Sequence, residues 1–121
     1  MPQSKDSLHN KKLGASGENR VAGYLKANGY KIVERNYRTP FCEVDIIARK
    51  GEVLAFIEVK TRLSENFGRP CEAVTPAKQR LYIRAAEYYF SSQQIEEIVR
   101  FDVIEVFCGQ INHIENAFYK S

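Results

Sequence analysis

No stretch of these 121 residues offers a membrane span, a disulfide framework or a zinc cluster. No apolar run approaches the roughly 18 residues that a transmembrane helix needs. Met1 to Lys12 is polar throughout and lacks the apolar core of a secretory signal, so a cytoplasmic location is expected. Cys42, Cys71 and Cys108 are odd in number and far apart, with no Cys-x-x-Cys pair and only His9 and His113 to assist them. They read as reduced structural thiols. No Ser/His/Asp or Cys/His arrangement supports hydrolysis through a covalent intermediate. Internal repeats and low-complexity tracts are absent too. Basic residues are scarce near the end of the chain: residues 85–121 hold 2 Lys and Arg against 6 Asp and Glu, while residues 1–84 hold 16 against 9. The resulting +7 of the longer segment suits a polyanionic partner such as a nucleic acid, although a solvated surface produces the same asymmetry.

Against that background stands one dense stretch, Glu43-Val44-Asp45-Ile46-Ile47-Ala48-Arg49 followed by Val53-Leu54-Ala55-Phe56-Ile57-Glu58-Val59-Lys60. Its Val, Ile and Phe content predicts two strands around a tight turn at Lys50-Gly51. Such a turn pairs Arg49 with Glu52, Asp45 with Phe56 and Glu43 with Glu58. Alternation then puts Glu43, Asp45, Glu58 and Lys60 on one face, with Asp45 and Glu58 diagonal neighbours roughly 7–8 Å apart. Crowded carboxylates repel unless one holds a proton or a cation sits among them. Oxygen ligands favour a hard ion, Mg²⁺ or Mn²⁺. Lys60 would stand beside that ion, placed to steady an attacking water or to neutralise charge growing on a phosphate. A solvated strand face with a favourable charge pair is the competing reading of Glu-x-Lys.

The remaining chain supplies a frame. Met1–Lys12 reads as a flexible arm whose Lys11 and Lys12 could touch a phosphate backbone. Leu13 to Asn28 is predicted helical and closed by Gly29. Glu18 shares a stripe with Val21, Ala22 and Leu25, so it either meets the sheet face carrying Asp45 and Glu58 or complements the helix dipole. Gly14, Gly17 and Gly23 weaken this helix, which close backbone approach would explain. Tyr30–Asn36 is a first strand, and Tyr37 to Pro40, with Arg38, connects it to the hairpin. Thr61 to Ala73 is expected as an irregular, substrate-facing loop carrying Arg62, Phe67 and Arg69. Thr75 and Pro76 start a second helix running to about Phe90, with Lys78, Arg80 and Arg84 on a basic flank. Tyr82, Tyr88 and Tyr89 read as core or interface. Ile98–Phe107 is a fourth strand, and a turn at Cys108-Gly109-Gln110 allows a fifth over Ile111–Phe118. Two helices with faces to bury imply one domain, an α/β sandwich around a mixed sheet.

The order helix, three strands, helix, strand, with Asp opening the hairpin and Glu-Val-Lys closing it, resembles the PD-(D/E)XK nuclease superfamily. More narrowly, the chain resembles the YraN-type family of proposed endonucleases, which are similar to archaeal Holliday-junction resolvases. Gly14-x-x-Gly17-Glu18, Arg35-Asn36-Tyr37-Arg38, Glu43 to Ala48, Phe56 to Arg62, Phe67-Gly68, Ala73-Val74, Lys78 and Arg100-Phe101-Asp102-Val103 carry the resemblance, across residues 13–107. It implies a restriction-endonuclease-like α-β-β-β-α-β core. It implies further that Asp45, Glu58 and the Val59 carbonyl ligate the metal, that Lys60 aids the attacking water, and that Glu18 and Lys78 join the site. One departure is Cys42, where members usually carry glycine.

The expectation is therefore a Mg²⁺- or Mn²⁺-dependent endonuclease acting on DNA, on family analogy branched DNA. Lys11, Lys12, Arg38, Arg62, Arg69 and Lys78 would lie along the nucleic acid, and a homodimer is plausible for symmetric cutting. The alternatives are a binding or adaptor module that keeps the fold without turnover, and a protein-docking domain using its acidic C-terminal third.

Overall fold

The computed structural model describes residues 4–62, 74–91 and 97–119. Its elements run α1 (Ser4–Ala27), β1 (Lys31–Arg38), β2 (Glu43–Lys50), β3 (Val53–Arg62), α2 (Pro76–Tyr89), β4 (Ile98–Phe107) and β5 (Gln110–Phe118). The strands form one sheet in the order β1-β2-β3-β4-β5. β3 and β4 are parallel and bridged by α2, while the other three pairs are antiparallel. This is the mixed-sheet, restriction-endonuclease-like α/β core, extended by a fifth strand.

The two helices cover opposite faces. Val21 and Leu25 of α1 pack on Ile46, Ala48, Ala55, Ile57 and Ile104. Tyr82, Ala85 and Ala86 of α2 pack on Ile47, Leu54, Phe56, Phe101 and Val103. The central strand β3 is buried on both sides, which accounts for its unbroken apolar run. α2 begins as its sequence requires: the Thr75 hydroxyl accepts from the Lys78 N–H at 3.1 Å, and Pro76 follows in the first turn. α1 is closed two residues past its end by Gly29, whose φ of 89° is unstrained only for glycine.

Two expectations are corrected. α1 starts at Ser4 rather than Leu13, so the segment expected as an arm is helical from Ser4; no glycine or proline interrupts residues 4–12, and polar residues do not forbid a helix. The β2–β3 loop is Gly51–Glu52, with Gly51 at φ 60°, and Lys50 pairs with Val53. Glycine thus takes the loop position that needs positive φ, and every pairing shifts: Ile47 faces Phe56 and Ile46 faces Ile57. Because the shift is even, the residues keep their faces. Continued by one step, the register brings Asp45 level with Glu58 instead of diagonal to it.

A polar network ties β5 and the end of α1 to β4. Asp102 is fully buried and accepts from Arg100 Nε and Nη2, both at 2.8 Å, and from the Asn116 N–H at 3.0 Å. His113 Nε2 lies 2.7 Å from Asp102 Oδ2, and His113 Nδ1 lies 3.0 Å from the Tyr24 hydroxyl. Arg100 also reaches the Tyr30 hydroxyl at 2.5 Å. These hydrogen bonds hold the Asp102 carboxyl below its usual range despite its burial.

Candidate active site

The β2–β3 ladder ends at Ile46 and Ile57, and the next residue on each strand is a carboxylic acid. Asp45 Oδ2 accepts from the Val59 N–H at 2.8 Å, taking the place of a ladder bond and pinning its side chain to β3. Glu58 is 5% exposed. Its Oε1 accepts from the Tyr82 hydroxyl at 2.6 Å. Its Oε2 lies 3.2 Å from Lys60 Nζ and 3.6 Å from Lys78 Nζ. The sequence-expected Asp45, Glu58, Lys60 and Lys78 thus meet in one place, on the α2 side of the sheet.

Electrostatics mark this pair as strained when both carboxyls are charged. Burial is the main cause, with the Glu58 charge second, of an Asp45 pKa pushed up to about 7; the Val59 N–H opposes the rise. A hydrogen bond to the Glu58 side chain adds to it. With Asp45 half-buried beside the buried Glu58, the raised Asp45 pKa marks a place where a cation can take the position of the proton.

Glu18 behaves differently from expectation. α1 packs on the face of Ala55 and Ile57, so it does not cover the face bearing Glu58. With α1 starting at Ser4, Glu18 lies well inside the helix, and the dipole explanation lapses. It nevertheless sits in electrostatic range of Asp45, Glu43 and Glu58, and burial, more than these neighbours, raises its pKa. Its neighbour Gly17 is buried because the Thr61 hydroxyl occupies the space that a β-carbon would need. Nothing crowds Gly23, so close approach explains the first glycine and not the second.

The basic residues divide. Arg38 is 87% exposed and pairs with Glu43 at 3.1 Å. Arg62 ends β3 rather than entering a loop, a correction to the substrate-facing loop expected to carry it; its side chain is 9% exposed and ion-paired with Glu105. The side chains of Lys11 and Lys12, and Arg69 altogether, lie outside the described residues, as do Phe67 and Gly68. Cys42 sits in a turn where Thr39 Oγ1 accepts from the Phe41 and Cys42 N–H groups, both at 3.1 Å. Its φ is not positive, so the backbone there does not demand glycine. Sequence reasoning had Tyr82 as core, which it is, and missed its hydroxyl on Glu58. The available signal was its spacing, four residues after Lys78 on the same helix face.

Among the described residues, no group of three or more His, Cys, Asp or Glu side chains lies close enough to enclose a metal. The donor set is two carboxylates and, beside them, the peptide of Val59. That set fits Mg²⁺, which typically takes one or two carboxylates and keeps several waters.

An α-β-β-β-α-β core with Asp and Glu-x-Lys at the parting ends of its hairpin defines a protein of the PD-(D/E)XK superfamily fold. Residues 17–106 match the uncharacterised protein family UPF0102. The UPF0102 protein of Thermodesulfovibrio yellowstonii is 50% identical over 107 residues, covering 88% of this chain and 96% of the relative. That of Geobacter metallireducens is 49% identical over 117 residues, covering 93% and 96%. That of Alkaliphilus metalliredigens is 47% identical over 112 residues, covering 89% and 98%. The chain belongs to the UPF0102 family, the YraN-type family of that superfamily. No helix among the described residues is long and apolar enough to cross a membrane.

Proposed function

We propose that this protein is a metal-dependent endonuclease that hydrolyses phosphodiester bonds in DNA, with branched or repair-intermediate DNA as its substrate and the cytoplasm as its compartment. The observation that carries the reading is a half-buried Asp45 beside a buried Glu58, with Lys60 and Lys78 converging on one Glu58 oxygen. Asp45, Glu58 and the Val59 carbonyl would hold Mg²⁺ or Mn²⁺. When bound, such an ion polarises a phosphoryl oxygen and acidifies water.

The chain's own groups do the rest. Tyr82 holds Glu58 Oε1, which fixes the direction of the other oxygen. The Val59 N–H fixes Asp45 in the same way. Lys60 is half-buried and sits at Glu58 Oε2. A cation in the site would free its ammonium to face the reacting phosphate and stabilise the charge that grows there. Lys78, anchored over the Tyr82 ring at 5.8 Å, supplies a second positive charge from the helix side. Glu18, in electrostatic range of both carboxyls, would join the site from the α1 side. A homodimer would present two such sites to the two strands of a junction.

The test is a labelled panel of duplex, single strand, flap and four-way junction, incubated with Mg²⁺, Mn²⁺ or chelator. Cutting that requires the metal and disappears in Glu58→Ala supports the reading. Binding without cutting on every substrate would instead favour a module that holds nucleic acid and leaves hydrolysis to a partner.

A further inference from the structure

A second polar site lies beyond Lys60, on the α1 side of the end of β3. A pocket of about 400 Å³ opens there, lined by Ser16, Gly17 and Arg20 of α1, Thr61 and Arg62 of β3, and Gly109 of the β4–β5 turn, among others. Positions 16, 17 and 20 share a helix face, which turns Arg20 toward this pocket, while Glu18, off that face, is in electrostatic range of Arg35, Glu43 and Glu58. Both glycines make room. Thr61 Oγ1 fills the place of a Gly17 β-carbon, and Arg20 Nη1 lies 3.1 Å from where a Gly109 β-carbon would stand. Gly109 has a φ of 78°, so the turn favours glycine for its own conformation as well. The Arg20 guanidinium is therefore laid against a bare stretch of backbone while the residue remains exposed.

The chemistry of the lining is that of an anion site. Arg62 and Glu105 offset each other, leaving Arg20 as a net positive charge beside the hydroxyls of Ser16 and Thr61. From Glu58 to Arg62 the strand advances roughly 13 Å. That is about four steps of duplex at roughly 3.4 Å per step. A polynucleotide held at the carboxyl pair and passing over the end of β3 would bring a later phosphate to this pocket. We propose that the pocket binds one backbone phosphate of that polynucleotide, a few nucleotides from the reacting bond, with Arg20 as its charged donor. The proposal rests on the nucleic-acid reading above.

The test is equilibrium binding of labelled duplex and single-stranded DNA, followed by fluorescence anisotropy in chelator across about 0.05 to 0.3 M salt. One lost phosphate contact lowers the slope of log K against log salt by about 0.7–0.9 and weakens binding roughly fivefold near 0.15 M. Arg20→Ala is expected to show both changes. Arg20→Lys is expected to keep the slope, and Lys26→Ala, on the last turn of α1, to match the wild type. Unchanged affinity and slope in Arg20→Ala, or the slope loss recurring in Arg20→Lys, would overturn the phosphate site and leave the nuclease reading in place. A wild type that binds neither DNA form at low salt would overturn both.

Discussion

Replacing Asp45 with Asn is expected to stabilise the metal-free protein while removing its response to metal. The argument starts from the Asp45 pKa, which stands at about 7 in the fold against 3.8 as the ordinary value. A carboxyl whose folded pKa is raised favours the fold most when protonated. Its contribution is complete below about pH 4 and is lost as the pH climbs through 7. Asparagine keeps the shape, still accepts from the Val59 N–H, and never ionises. Wild type and Asp45→Asn should therefore differ modestly at pH 5. The gap should widen by about 2 kcal/mol between pH 5 and pH 8, since each pKa unit corresponds to about 1.36 kcal/mol and the site admits some water. Urea unfolding in chelator at the two pH values measures this directly. Added Mg²⁺ should then stabilise the wild type at pH 8 and leave Asp45→Asn unmoved. An Asp45→Asn protein no more stable than wild type at pH 8, or a gap independent of pH, would refute the claim that burial and Glu58 strain this carboxyl.

Two further outcomes follow from neighbouring side chains. Tyr82→Phe removes the hydroxyl held 2.6 Å from Glu58 and should cost about 1.5–3 kcal/mol of stability. Its Mn²⁺ affinity by calorimetry should also fall, by about 10–100-fold, because Glu58 loses its orienting donor; unchanged affinity would reduce Tyr82 to a core residue. Asp102→Ala leaves Arg100 without its buried partner and should cost about 3–5 kcal/mol by urea unfolding. A loss below about 1 kcal/mol would show that water already satisfies that network.

Local rules explain why much of this arrangement was legible before the fold was seen. β4 occupies the Ile98–Phe107 range predicted from alternation, and α2 starts at the Thr75–Pro76 signal, because those cues act over a few residues. The carboxyl–lysine cluster was readable for a related reason: strand periodicity survives an even shift of register, so Asp45, Glu58 and Lys60 stayed on one face when Gly51 moved the loop. What escaped depends on distance along the chain. Tyr82 reaches Glu58 across 24 positions, and a tyrosine on an apolar stripe looks the same with or without a carboxylate above it. Arg62 reads as a free cation until β4 brings Glu105 beside it. The side of the sheet that α1 covers, and hence how Glu18 approaches, is set by the packing of Val21 and Leu25 rather than by any spacing within the helix. The start of α1 was missed because polar residues carry no periodic signal in either state.

The central claim is that Asp45, Glu58 and Lys60 form a cutting site, and Lys60→Ala tests it most directly. Its ammonium lies 3.2 Å from Glu58 Oε2, and it is assigned to the transition state rather than to holding substrate or metal. On whichever DNA the wild type cuts with Mg²⁺ or Mn²⁺, single-turnover cleavage by Lys60→Ala should fall by about 100-fold or more, while DNA binding in the same tubes stays within a few-fold. Cleavage at the wild-type rate by Lys60→Ala, or by Glu58→Ala beside it, would contradict the account.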